Sequence, residues 1–146
     1  MDKIWKFRLD YNYERDLAPL ICKISDSYFC DFINSQKEIV GYICDGVLNI
    51  FEGYEWDGCT PKFLLFGITF GTPDFKETWA ASLVHDFLIE YSDQHKITRK
   101  EIDIIFEKIL YEKKFKFRFI YSWGVHLFRI FYINIFRKTT KRKKRE

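Results

Sequence analysis

Apolar and polar residues alternate with a two-residue period in the first half of the chain and change to a helical period after Pro73. Ile4 to Leu9 alternates. Tyr28 to Ile33 and Ile39 to Cys44 read as strands on either side of the turn-like Asn34-Ser-Gln-Lys, and Val47 to Tyr54 reads as a strand following Asp45-Gly46. That dipeptide suits a tight hairpin, because glycine takes positive φ without strain. Lys76 to Tyr91 is predicted as the first helix. Thr98-Arg-Lys-Glu101 has capping-box spacing and opens a second helix, with Ile102, Ile105, Phe106, Ile109 and Leu110 on one face. A third helix is predicted over about Phe117 to Arg137. The fold class is therefore α+β, an N-terminal antiparallel sheet followed by about three C-terminal helices, with no internal repeat and no linker.

Composition narrows this to one body and a tail. At 146 residues, with 47% hydrophobic and 20% aromatic content, the chain has ample material for one core, so neither a disordered chain nor a disulfide mini-fold is implied. The net charge of +3 conceals an asymmetry, since Arg137 to Arg145 holds seven Lys or Arg. Without residues 137–146 the remainder carries 17 basic against 20 acidic residues. Residues 1–138 are read as the domain and 139–146 as a basic disordered tail, because the tail has no apolar side chain to offset an ordering cost of about 1–2 kcal/mol per residue. Cys22, Cys30, Cys44 and Cys59 lack metal or redox spacing and read as reduced thiols, and the first residues lack a signal-peptide core. These features point to the cytoplasm. No stretch reaches the roughly 18 uncharged residues of a membrane span, since Arg129 interrupts Phe119 to Phe136. That stretch is crowded with aromatic rings and ends in the basic tail, a combination that also suits the periphery of a membrane.

The chemistry-bearing feature is His85-Asp86, set in Trp79-Ala-Ala-Ser-Leu-Val-His-Asp-Phe-Leu and followed by a helix carrying Asp103. A histidine with two nearby carboxylates has the parts to activate a water or hold a hard cation. Asp103 falls on the flank of the apolar stripe beside Phe106 and Leu110, so its carboxylate is partly desolvated and needs a partner. Antiparallel helices joined by Ser92 to Ile97 would bring it to His85, where an Asp on one ring nitrogen fixes the tautomer and raises the basicity of the other. A second cluster lies in Gly53-Tyr-Glu-Trp-Asp57-Gly58-Cys-Thr60-Pro61. There Asp57 and Thr60 are candidates to face a shared cleft, with Trp56 and Trp79 as aromatic walls.

The ordered set of these pieces resembles the phage and bacterial domain-of-unknown-function family 1353. The pieces are Gly53, Trp56-Asp57-Gly58-Cys59-Thr60, Ala80-Ala81, Val84-His85-Asp86-Phe87-Leu88 and Arg99 to Leu110 with Asp103 and Phe106. The resemblance covers about residues 45 to 128. It implies a viral or prophage origin and an α+β layout, and it confers no reaction. Pro61 directly after Thr60 and Ile89 after the His-Asp-aromatic-Leu core depart from its pattern. A fainter similarity links the His-Asp helix and later helical Asp to secreted and parvoviral phospholipases A2. By motif position it implies His85 as base, Asp86 as a calcium ligand and Asp103 as the orienting carboxylate. The Gly-rich calcium loop of those enzymes has no counterpart here.

Two function classes follow. One is a hydrolase with His85 as general base oriented by Asp103, phospholipase-like and metal-assisted, acting on a small-molecule or lipid ligand. The other is a non-catalytic phage protein, active in counter-defence, that binds a ligand or sequesters a host factor in the host cytoplasm through Asp57, Thr60, Trp56 and Trp79. Weak attraction to a membrane surface or to nucleic acid through the tail is expected beside either class.

Overall fold

The computed structural model describes residues 7–20, 28–56, 58, 62–65, 68–71, 75–127 and 129–130. Its centre is a four-stranded antiparallel sheet of β2 (Tyr13–Asp16), β3 (Phe29–Ile33), β4 (Ile39–Cys44) and β5 (Val47–Ile50), in the order β2-β5-β4-β3. β1 (Phe7–Arg8) pairs with β6 (Glu55–Trp56), and β7 (Lys62–Leu65) with β8 (Ile68–Gly71), both antiparallel. A 3-10 turn at Lys76–Thr78 leads into α1 (Trp79–Glu90). α2 (Arg99–Glu112) packs on α1, and residues 118–127 form α3. The architecture is the predicted α+β order of strands followed by three helices.

Local chemistry explains the best-defined joints. Asp45 and Gly46 take φ of 51° and 81°, both positive, so Cys44 and Val47 face each other across a tight hairpin. At α2 the Thr98 hydroxyl accepts from the Glu101 N–H, while the Glu101 carboxylate accepts from the Thr98 N–H at 2.8 Å. Val47 to Tyr54 is not one strand: β5 ends at Ile50, Gly53 takes φ of 89°, and the chain re-enters pairing at Glu55–Trp56 against β1. The predicted third helix is helical over 118–127 and at 129–130, Phe117 lies in the turn before it, and the rest of its proposed span lies outside the described residues.

The core lies between the sheet and α1, and continues between α1 and α2. Phe87 packs edge-on to Phe32 and Tyr54, with ring centroids 5.0 and 5.1 Å apart. It reaches the sheet because Gly41 lies beneath it: a Cβ at Gly41 would stand 2.9 Å from Phe87 and 2.4 Å from the Asn49 carbonyl. β3 is an edge strand, and the Gln94 side chain occupies part of that edge. Its amide nitrogen donates to the Ile33 carbonyl at 2.9 Å, and its oxygen accepts from the Ile33 N–H at 2.8 Å. Among the described residues Cys30 and Cys44 are free thiols.

Candidate functional site

α1 and α2 bring His85 and Asp103 together, with His85 Nε2 3.3 Å from Asp103 Oδ1. Asp86, the next residue on α1, places Oδ1 3.5 Å from His85 Nδ1. The ring thus lies between two carboxylates, and its edge is packed by Phe106 at 5.3 Å between centroids. Arg129, one of the two helical residues 129–130 described after α3, completes the group. Its Nε stands 2.7 Å from Asp103 Oδ2, as an ion pair without hydrogen-bond alignment. The His85 and Asp103 side chains retain only 13% and 12% of their exposure, and Arg129 retains 17%.

Electrostatic effects in this cluster oppose each other. Burial lowers the proton affinity of His85, but its hydrogen bonds and charge interactions with Asp103 and Asp86 more than restore it, so the histidine titrates above its ordinary value. Two carboxylates facing an imidazolium and a guanidinium make a charge-balanced group. This offsets the desolvation that would otherwise penalise each ion.

His95 is the useful contrast. Its Nδ1 accepts from the Ile97 N–H at 3.0 Å, so its Nε2 carries the proton and donates to the Leu88 carbonyl at 2.8 Å. Both nitrogens are bonded to the backbone and the residue staples the α1–α2 loop. The two ring nitrogens of His85 instead face ionisable side chains, the environment of an adjustable proton affinity.

The other candidates fall out differently. Asp57 and Thr60 lie outside the described residues. Trp56 is buried, with 1% of its surface exposed, and packs on Phe7, Tyr54 and Trp79 while its indole N–H donates to Ser82 Oγ at 3.2 Å. It is a core residue and not an open aromatic wall, since its polar atom is already bonded inside. Trp79 is half-buried and stacks on the exposed Tyr11. Asp86 is turned to the imidazole. Among the described residues no group of three or more His, Cys, Asp or Glu side chains could hold a metal ion.

Three residues that the sequence did not mark as site candidates belong to this region. Arg129 was the charge interrupting an aromatic stretch; its spacing of four and eight residues from Val125 and Tyr121, both buried, was the available signal that it faces inward. Tyr54 donates from its hydroxyl to Glu90 at 2.9 Å. Burial, and then the negative charges of Glu90 and Asp86, push its proton affinity far above the ordinary tyrosine range, so it stays protonated and donates to Glu90. Glu90 also lines a separate cleft of about 730 Å³ between the β3–β4 turn and the end of α1, with Asn34, Gln36, Glu55, Asp93 and Gln94.

A family model described as a protein of unknown function, DUF1353, matches residues 40–123. The chain belongs to this family. The matched span takes in β4 to α2 and the start of α3, and it contains His85, Asp86 and Asp103 while Arg129 falls beyond it. No curated protein and no solved structure matches the chain.

Proposed function

We propose that this DUF1353 protein performs acid–base chemistry at His85, as a hydrolase, with Asp103 and Arg129 as positioning residues. The supporting observation is the uneven hold on the imidazole. Nε2 lies 3.3 Å from a carboxylate that is itself fixed by a guanidinium, whereas Nδ1 meets Asp86 at a looser 3.5 Å. A ring oriented at one nitrogen offers the other to a water, and a raised proton affinity makes the neutral ring a stronger base. In this reading Asp86 hands the Nδ1 position to a water when substrate arrives. His85 removes a proton from that water as the water oxygen bonds to the scissile centre, and returns the proton to the leaving group as its bond breaks.

The test is hydrolysis of a panel of carboxylic esters, amides, phosphodiesters and phospholipids by the intact chain and by His85→Asn and Asp103→Asn. The reading requires turnover of one class, a rate that rises with pH through the His85 titration, and a loss of orders of magnitude in both variants. Turnover unaffected by His85→Asn, or no turnover across the panel, overturns it.

A second reading draws on the cleft at Glu55, Glu90 and Asp93, which is polar and does not include His85. In a phage-encoded protein it suits the capture of a polar host ligand or the polar surface of a host factor. Ligand binding lost in Glu90→Gln and retained in His85→Asn would favour this reading over catalysis.

A further inference from the structure

α3 has two apolar sides, and the fold uses one. Tyr121 and Val125 are buried against the domain, and Arg129 lies on the same side through its pair with Asp103. At the helical repeat, Phe119, Ile120, Trp123, Leu127 and Ile130 fall within an arc of about 100° on the opposite side. All five are exposed, Phe119 and Trp123 each by 65%. Helices of monomeric domains rarely present such a continuous apolar strip to water.

The charge around the strip identifies its occupant. From residue 113 to 145 the sequence has 12 Lys or Arg and no Asp or Glu. Lys113, Lys114 and Lys116 are exposed just before α3, and the Arg118 guanidinium sits over the rings of Phe119 and Tyr111 at 4.5 and 5.1 Å. Seven further cations follow the strip in the sequence. A second copy of this surface would bring the same excess of positive charge against it, which disfavours self-association. An anionic lipid surface answers both features, accepting Trp and Phe at the headgroup boundary and cations among the headgroups. Among the described residues no helix is long and apolar enough to cross a membrane, and an apolar strip along one side of a helix with cations around it suits the surface plane.

We propose that the outward face of α3 is a docking surface for an anionic lipid bilayer, with Trp123 and Leu127 as its apolar anchors. This goes beyond an attraction of the tail alone and does not depend on catalysis at His85. The test is co-sedimentation of the full chain with vesicles of phosphatidylglycerol and phosphatidylcholine, and with vesicles of phosphatidylcholine alone. The variants are Trp123→Glu with Leu127→Glu, and Lys113→Gln with Lys114→Gln and Lys116→Gln. Both sites are solvent-facing, and a thermal melt verifies that each variant is folded. Binding to the anionic vesicles that falls about tenfold or more in both variants, and is weak without phosphatidylglycerol, is the expected result. Binding unchanged by the Trp123/Leu127 variant assigns the attraction to charge alone and overturns the proposal. A concentration-dependent dimer that the same variant dissociates, without vesicle binding, makes the face a self-association surface and also overturns it.

Discussion

At the scale of single residues, the molecule's chemistry concentrates at Asp103, which contacts both cations of its cluster, His85 through Oδ1 and Arg129 through Oδ2. Asp103→Ala leaves an imidazole and a guanidinium without their shared partner in a largely buried place and should cost about 3 kcal/mol, read by urea denaturation. Asp103→Asn keeps the volume and one acceptor, so it should cost less while lowering the His85 titration point, followed by imidazole proton resonances. The sign of the pH effect is fixed by the direction of the shift. His85 binds its proton more tightly folded than unfolded, so the network's contribution is complete below about 6.5, the unfolded value, and is lost as pH rises through the higher folded value. Comparing wild type with His85→Gln across that window should show the wild type losing its advantage as pH increases. An advantage that grows with pH would contradict the arrangement.

At the scale of elements, stability rests on joints whose chemistry is local. Thr98→Ala removes the hydroxyl that accepts from Glu101 N–H and should lower stability by about 1 kcal/mol in a thermal melt. That joint was legible because capping needs only four consecutive residues, and the Asp45-Gly46 hairpin was legible because its turn demands positive φ at both positions. β2 was not. Tyr13-Glu-Arg-Asp lacks an apolar alternation, and its place comes from the ladder to β5, a contact between segments more than thirty residues apart. Val47 to Tyr54 was overread as one strand because apolar residues continue past the turn that Gly53 permits. The candidate site divides the same way. The Asp103 position on the α2 flank follows from helical spacing, whereas Arg129 and the Tyr54–Glu90 pair depend on how separate elements meet.

At the scale of the whole molecule, the helical layer approaches the sheet closely because a side chain is missing at Gly41. Gly41→Ala would press a methyl group into the Asn49 carbonyl and the Phe87 ring, and should destabilise by about 2 kcal/mol or more. Combining it with Phe87→Leu should recover part of that loss in the same denaturation assay, since only the contact with the ring is relieved. The bonds from Gln94 to Ile33 have a consequence beyond stability. Ile33 ends an edge strand bearing Phe29 and Ile33 outward, the kind of border along which identical chains can align and polymerise. By engaging both main-chain groups of Ile33, one glutamine on the α1–α2 loop denies an incoming strand its first rung. The same loop that staples the helices thereby helps to keep neighbouring molecules apart in a crowded solution.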